Sequence, residues 1–236
     1  MTKLPILMYH NVTDDKKMSN GLTICTEYLE QQLHFLVNNN YKTFHLSELE
    51  LVSEIPRKSI VITFDDVTCN QLEFALPLFK KYNLKATFFI PFSFIGKADL
   101  WNDGNQKIMN IEQLKSLDKL IELGLHSFAH QKFDKLSRNE IINDFDKCFE
   151  LINNNNLKVY NAIAYPFGNY PKNEPLQSQF FEILSDKNVK MGLRIGNKIN
   201  NFPFKNVFEI TRLDILGQDK LWKFRLKLIF GKLKLF

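Results

Sequence analysis

Short apolar runs alternate with helix-like segments along almost the whole chain, and this alternation limits the fold more than any other feature of the sequence. Seven runs have the length of buried strands: 6–9, 59–64, 86–90, 123–126, 162–165, 190–194 and 207–211. Strands that alternate with helices predict βα units and a parallel sheet. Six or seven such units favour an α/β fold of the deformed (β/α)7-type barrel, with an open doubly wound sheet as the alternative.

Three of the intervening segments begin with helix-start signals. Ser47 with Glu50 and Ser137 with Glu140 fit capping boxes, and Asn110 precedes a segment with a helical pattern over 111–123. No Pro/Gly/Ser-rich linker and no internal repeat divides the 236 residues, of which 44% are hydrophobic. We therefore predict a single domain over 1–219, followed by a basic apolar tail over 220–236.

Polar residues follow several of the strand candidates, where a parallel barrel collects its reactive groups. The adjacent carboxylates Asp65 and Asp66 come directly after the run 59–64. Neighbouring residues of an extended chain point to opposite sides, so one carboxylate can bind a metal ion while the other stands beside a reacting water. The alternative is a helix N-cap, because Asp is favoured there and a helix-like segment follows from about Asn70.

The segment His126-Ser127-Phe128-Ala129-His130 places two imidazoles four residues apart. On one helical turn they would face the same way. Two imidazoles and a carboxylate are a common ligand set for zinc or a similar cation, with positions left open for water and substrate. A surface helix is the alternative for such a pair taken alone, although the apolar Leu123 and Leu125 before it favour the end of a strand.

A third segment, Tyr165-Pro166-Phe167-Gly168-Asn169-Tyr170, surrounds one residue with Pro and Gly. This pattern is typical of a tight turn, which could direct a backbone N–H toward a reacting oxygen. An ordinary turn at the exit of a strand is the alternative.

Taken together and in this order, the segments resemble the polysaccharide deacetylase family (NodB-homology domain, carbohydrate esterase family 4). The matching segments are LMYHNV at 7–12, TFDD at 63–66, ATFFI at 86–90, HSFAH at 126–130 and YPFG at 165–168. The Met-Tyr-His start and the Arg-x-Asp end, at Arg212 to Asp214, are similar to the exopolysaccharide de-N-acetylase branch. The resemblance implies a deformed (β/α) barrel that removes an acetyl or related acyl group from an amino sugar.

The residues and the resemblance together predict a mechanism. Asp66, His126 and His130 would bind one divalent metal ion, with zinc as the first choice, which would polarise a water and the substrate carbonyl. Asp65 would accept the proton of the water. By resemblance, the backbone N–H of Phe167 would help to stabilise the oxyanion.

The chain departs from the family pattern at three places. Val67 stands where a Gly usually follows the paired aspartates, Tyr165 stands where many relatives have Arg, and no His follows His130. Most relatives have a late His that acts as general acid. Protonation of the leaving amine favours a His, so we predict that His10 replaces it and that Asp214 orients it. A structural histidine at a strand end is the alternative for His10.

Two aromatic features lie outside these motifs. Trp101, in a polar stretch, could stack on a sugar or be anchored back into the core. The tail carries six basic residues and no acidic ones after Asp219, so it accounts for the formal net charge of +5. Its cations and bulky apolar residues suit either an anionic membrane surface or a last barrel helix.

The expected partner is a saccharide that contains an N-acylated amino sugar. Nucleic acid is not expected, because the basic charge is confined to one end without a recognition motif. The start of the chain lacks the pattern of a secretory signal, which predicts a cytoplasmic location, at the inner membrane face if the tail binds lipid. A deformylase or other amide hydrolase of the same fold, and a non-catalytic glycan-binding protein, are the competing functions.

Overall fold

The structure is a computed structural model that describes residues 1–102 and 104–231. Its strands are β1 (Thr2–Leu4), β2 (Ile6–Tyr9), β3 (Asn11–Thr13), β4 (Thr23–Cys25), β5 (Lys42–Thr43), β6 (Ser59–Phe64), β7 (Ala86–Ile90), β8 (Ile121–Leu125), β9 (Val159–Ala164), β10 (Met191–Ile195), β11 (Asn200–Phe202) and β12 (Ile210–Asp214). Its α-helices are α1 (Thr26–Asn38), α2 (Leu46–Glu50), α3 (Leu76–Tyr82), α4 (Ile111–Lys115), α5 (Arg138–Asn155), α6 (Leu176–Asp186) and α7 (Leu221–Phe230).

Seven of these strands close into a parallel barrel. The ring runs β2, β12, β10, β9, β8, β7 and β6, and β6 pairs back to β2. The closing contacts place Leu7 of β2 opposite Leu213 of β12 on one side and opposite Ile62 of β6 on the other. The deformed (β/α)7-type barrel is therefore confirmed, and the open sheet is excluded.

The two faces of each strand supply two apolar layers, as expected for parallel strands that are covered on both sides. One cluster of buried side chains alternates through the strands and includes Ile6, Val61 and Phe89. The neighbouring positions, such as Ile62 and Phe88, belong to a second cluster shared with the helices. At Gly124 an added Cβ would lie 2.6 Å from the ring of Phe89, so this ring fills the space that a larger residue would need.

The helix predicted over 111–123 is wrong beyond its first turns. Helix α4 begins after the capping box of Asn110, as predicted, but it ends at Lys115, and β8 begins at Ile121. Inside β8 lies Glu122, whose carboxylate accepts hydrogen bonds from the backbone of Leu46 and Ser47 at 3.0 and 3.1 Å and from another side chain in β7. A strand therefore tolerates this charge because it satisfies the free N–H groups at the start of α2.

The same contact explains a second difference. Helix α2 begins after His45, and its capping box pairs His45 with Glu48, so the box predicted at Ser47 and Glu50 is wrong. The box at Ser137 and Glu140 is confirmed at the start of α5. The last strand lies at 210–214 instead of 207–211.

The carboxyl ends of the barrel strands meet at one edge, and the candidate residues follow them. His10 follows β2, Asp65 follows β6, His126 follows β8, and the turn that contains Phe167 follows β9. Asp214 is the last residue of β12.

The C-terminal helix α7 packs against the barrel through Phe224, Lys227 and Leu228, which are buried. Its contacts include α1, where the ring of Phe224 meets that of Phe35 edge-on at 6.2 Å. Residues 232–236 of the predicted tail lie outside the described residues. Among the helices of 1–102 and 104–231, none has the length and apolar character needed to cross a bilayer.

Candidate metal and catalytic site

Asp66, His126 and His130 converge at the carboxyl edge of the barrel, as the sequence predicted. One potential ligand atom from each residue lies within 4.8 Å of the other two. Nε2 of His126 is 3.5 Å from Oδ1 of Asp66, and Nε2 of His130 is 3.4 Å from the same oxygen. All three residues are buried, so the group is a compact cluster of donors shielded from solvent.

The two histidines do not lie on a helical turn, and this part of the sequence interpretation is wrong. The segment after β8 is a loop in which Ser127 and His130 have positive φ angles, 62° and 51°. The carboxylate of Asp144 on α5 accepts hydrogen bonds from the backbone N–H groups of Phe128 and Ala129, at 2.9 and 3.2 Å. These left-handed residues fold the loop back, so both rings reach the same side.

The aspartate pair also depends on backbone that few side chains adopt. Asp66 has φ 75° and Val67 has φ 42°, and a β-branched residue in this region is strained. The following helical segment, Gln71–Ala75, begins after Asn70, so neither Asp65 nor Asp66 is its N-cap residue. The N-cap alternative for the pair is therefore excluded, and both carboxylates face the site.

Both imidazoles are held in the neutral form that binds metal ions. Burial lowers the pKa of His126, and it lowers the pKa of His130 to about 2. Nδ1 of His126 lies 2.7 Å from the backbone oxygen of Ala164, to which it donates when protonated. That hydrogen bond leaves Nε2 of His126 free to face Asp66.

Asp66 carries the clearest mark of a cation site. Burial raises the pKa of its carboxyl well above the usual range, and the charges of Asp65 and Asp99 raise it further. Its Oδ1 is buried and has no hydrogen-bond donor in the described part of the chain. A buried carboxylate oxygen without a donor is unfavourable, and a bound cation would relieve it. The donor set, two imidazoles and one carboxylate, fits a divalent metal ion such as zinc.

Asp65 is held by Arg212, which lies in the middle of β12. The guanidinium donates to both carboxylate oxygens, at 2.6 and 2.8 Å, and also to the hydroxyl of Thr63 at 3.2 Å. Burial alone would raise the pKa of Asp65, but the charge of Arg212 and the nearby His126 lower it well below the usual range. Asp65 is therefore an ionised acceptor, fixed in orientation beside the candidate metal ligands.

His10 lies on the other side of Asp65. Its Nε2 is 3.7 Å from Oδ2 of Asp65. Burial lowers the pKa of His10 to about 4, against the opposing effect of Asp65. The carboxylate of Asp214 lies 3.3 Å from Nζ of Lys227 on α7 and makes no hydrogen bond to His10 within the described residues. The roles of His10 and Asp214 stay predictions.

The turn after β9 lies against His130. Phe167 has φ 58° and an exposed fraction of 48%, and its ring meets that of His130 at 4.9 Å between centroids. Nζ of Lys132 lies 5.2 Å from the centre of the same ring. The predicted tight turn is present, and the use of the Phe167 N–H as an oxyanion donor stays a prediction.

The sequence did not predict the contacts of two residues in the site, Arg212 and Trp101. Arg212 belongs to the Arg-x-Asp motif, whose spacing does not predict a pairing with Asp65. The signal in the sequence for such a pairing is a charged Arg inside an apolar strand run. Trp101 packs its indole on His130, with centroids 3.8 Å apart, so it belongs to the site although no spacing in the sequence connects them.

Comparisons with known proteins identify the family of the chain. A family model described as polysaccharide deacetylase matches residues 53–182. The poly-beta-1,6-N-acetyl-D-glucosamine N-deacetylase of Staphylococcus epidermidis is 26% identical over 182 residues, which cover 70% of this chain and 61% of the relative. The enzyme of the same name from Staphylococcus aureus is 27% identical over 217 residues, with coverages of 85% and 70%. The protein YxkH of Bacillus subtilis is 29% identical over 173 residues, with coverages of 71% and 58%.

Solved structures share the fold. The Streptococcus pyogenes deacetylase PplD superposes with a TM-score of 0.75 at 23% identity and covers 96% of this chain and 98% of its own. The IcaB protein of Ammonifex degensii superposes with a TM-score of 0.78 at 20% identity, with coverages of 96% and 97%. The chain thus matches these domains almost completely, while it spans about three fifths of the YxkH and S. epidermidis proteins.

Proposed function

The chain belongs to the polysaccharide deacetylase family, and on that basis we propose that it removes an N-acetyl, or related acyl, group from an amino sugar of a glycan or glycan precursor. The observation that carries the proposal is the convergence of Asp66, His126 and His130 on one point, with Asp65 fixed beside them by Arg212. This arrangement provides three ligands for a cation and a separate ionised acceptor for a proton.

We assign the cation to Asp66, His126 and His130, with zinc as the first candidate because imidazole and carboxylate ligands suit it. A divalent ion held there would supply Lewis-acid polarisation of the acyl carbonyl and of the attacking water. The burial of all three ligands limits competing water around such an ion.

The proton transfers are assigned to residues on either side of that cluster. In amide hydrolysis the water oxygen bonds to the acyl carbon, and its proton passes to the carboxylate of Asp65. The carbon–nitrogen bond then breaks with its electron pair on nitrogen, and His10, which receives the proton from Asp65, delivers that proton to the nitrogen. Because Nε2 of His10 is 3.7 Å from Asp65, the proton that Asp65 accepts has a short route to the leaving amine. The Phe167 N–H is proposed to stabilise the oxyanion.

The first substrate to test comes from the relatives' names. Oligomers of β-1,6-linked N-acetylglucosamine match what the staphylococcal enzymes are named for. Release of acetate from such oligomers, measured with a panel of other N-acetylated sugars, would establish the activity. Loss of acetate release in Asp65→Asn with near-normal metal content, and loss of both in Asp66→Asn, are the expected results.

Asp186→Asn is the matched control, because this aspartate is exposed at the end of α6. It should leave both the metal content and the rate unchanged. Loss of metal in Asp65→Asn would contradict the division of roles between the two carboxylates.

Two other functions make different predictions in the same assay. A deformylase of this fold would release formate and leave acetylated sugars intact. A non-catalytic glycan-binding protein would bind oligosaccharide and metal without release of any acid.

For the C-terminal helix we propose contact with an anionic membrane surface. The outer side of α7 exposes Trp222, Ile229 and Phe230, with exposed fractions of 57%, 63% and 66%, and the exposed Arg225 lies among them. Apolar and cationic side chains on one helix face suit the interface of anionic lipids. Anionic lipid is typical of the cytoplasmic leaflet, so we propose the inner face of the cytoplasmic membrane as the location.

Vesicle sedimentation tests this contact. The protein should sediment with vesicles of phosphatidylglycerol and not with phosphatidylcholine alone, and Trp222→Ser with Ile229→Ser should abolish the binding. Equal binding of this double variant would overturn the assignment to the α7 face.

A further inference from the structure

The two metal-ligating histidines are supported in different ways. Metal-bound imidazoles almost always donate their second ring nitrogen to an acceptor, which fixes the orientation of the ring. His126 follows this rule through the backbone oxygen of Ala164. Nδ1 of His130 is buried and has no hydrogen-bond partner in the described ranges. Another contact must therefore set the plane of the His130 ring.

That contact is the indole of Trp101. The two rings are stacked, with centroids 3.8 Å apart and planes inclined by 24°. The edges of His126 and Phe167 meet the His130 ring at 4.9 Å each, with interplanar angles of 65° and 64°. The imidazole is thus enclosed by aromatic surfaces, and the indole provides the only parallel face among these three contacts.

The indole is held by an aromatic contact with Phe94 and by hydrogen bonds within its own loop. The ring of Phe94 meets it edge-on, with centroids 4.7 Å apart and planes at 84°. Asp99, two residues before it, is buried and accepts hydrogen bonds from the backbone of Gln106 at 2.7 Å and from the side chain of Asn102 at 2.9 Å. These bonds hold the described segments on either side of Trp101 together.

The same loop is tied to the segment that carries the aspartate pair. The backbone N–H of Cys69 donates to Lys107 at 2.7 Å, and that of Met109 donates to Val67 at 2.9 Å. The loop that carries Trp101 is therefore anchored directly beside the segment that carries Asp65 and Asp66.

We propose that Trp101 is a positioning residue for the metal centre, whose stacked indole holds the His130 ring in the plane that directs Nε2 toward the cation. The stacked indole takes the place of a hydrogen bond at Nδ1, which His126 makes to Ala164 and which His130 does not make within the described residues. This inference rests on the proposed metal site and goes beyond it, because neither the ligand set nor the deacetylase reaction requires an aromatic residue at position 101.

The direct test is the affinity for metal, measured by competition with a chromophoric zinc chelator. Loss of an outer contact of a ligating histidine weakens metal binding by about 10–100-fold. We expect a loss of this size in Trp101→Leu and a much smaller one in Trp101→Phe, which keeps an aromatic face. Trp222→Leu is the matched control, because this second tryptophan is exposed on α7 and should leave the affinity unchanged.

Folding is checked in the same samples, in the metal-free state. If Trp101→Leu keeps the unfolding midpoint of the wild type but binds zinc as tightly, the inference is overturned. If that variant does not fold, the fluorescence experiment decides, because its Trp222→Phe variant keeps Trp101 in the loop.

Fluorescence provides that second readout without any change at the site. The chain has two tryptophans, so the Trp222→Phe variant emits from Trp101 alone. Titration with Ni²⁺ should quench this emission strongly, with saturation at one ion per chain, whereas the Trp101→Phe variant, which emits from Trp222, should show no saturable quenching. Absence of quenching in the Trp222→Phe variant would also overturn the inference.

Failure of the inference is distinguishable from failure of the proposed function. A wild-type protein that binds no divalent ion would contradict the metal site itself. A wild-type protein that binds zinc tightly, with equal affinity in Trp101→Leu, would contradict only the role of Trp101.

Discussion

Replacement of Arg212 by Met tests how the site keeps a buried carboxylate ionised. Arg212 is fully buried and donates to both oxygens of Asp65 at 2.6 and 2.8 Å. Met has a similar length and no charge, so the variant keeps much of the packing and leaves Asp65 without its partner. Loss of one member of a buried ion pair destabilises a protein by about 3–5 kcal/mol. For a domain of this size that corresponds to a fall in Tm of about 6–20 °C.

The sign of the effect should change when Asp65 is neutral. In an Asp65→Asn background, Arg212 is itself a buried charge without a partner, so Arg212→Met should be neutral or should stabilise the protein. Urea unfolding of the four proteins in this cycle measures the coupling directly. The exposed Arg138, whose partner Glu182 lies 2.9 Å away, provides the control, and Arg138→Met should change the free energy of unfolding by less than about 1 kcal/mol.

The same loss of stability from Arg212→Met in both backgrounds would refute this account. Arg212 would then stabilise the barrel through packing, and Asp65 would owe its low pKa to other groups.

Three further predictions concern stability. Urea unfolding should show that Val67→Gly lowers the free energy of unfolding less than Val61→Gly does, by at least about 1 kcal/mol. Both side chains are fully buried, but only Val67 has a strained positive φ, which glycine relieves. Lys227→Met should destabilise the protein by about 3–5 kcal/mol, because this buried lysine pairs with two aspartates, whereas Lys223→Met, at a more exposed position, should lose about 1 kcal/mol or less; equal losses would contradict this. In metal-free protein His10 is neutral in the folded state down to its pKa of about 4, while the unfolded chain takes up a proton near 6.5. Stability should therefore fall as the pH drops from 6.5 to 4, and His10→Gln should reduce that slope by about 1.4 kcal/mol per pH unit; an unchanged slope in urea unfolding at several pH values would refute the assignment.

The fold was accessible from the sequence because the barrel strands are apolar on both faces. Runs such as 59–64 and 86–90 contrast with the helical patterns between them, and their number is enough for a closed ring. The predicted ends of helices and strands are wrong where contacts with a distant part of the chain stabilise the local structure. One example is Glu122, a charged residue inside β8 whose carboxylate binds the start of α2, about seventy-five positions earlier in the chain.

The Asp66, His126 and His130 group was accessible because its members lie in the segments that follow two strands, and parallel strands bring their carboxyl ends together. The conformation of the loop was not, because Ser127 and His130 adopt left-handed φ angles that residues other than Gly, Asn and Asp rarely adopt. The pairing of Arg212 with Asp65 joins residues 147 positions apart, and no periodicity connects them. Contacts of this kind exist only after the barrel has closed.

The most direct test of the central claim is a crystal structure of the protein grown with zinc, with diffraction data collected on both sides of the zinc absorption edge. The account predicts one anomalous peak per chain, bound by Asp66, His126 and His130 at about 2.0–2.2 Å from their donor atoms. An anomalous peak bound by other residues, or the absence of any peak between these three side chains at saturating zinc, would contradict it.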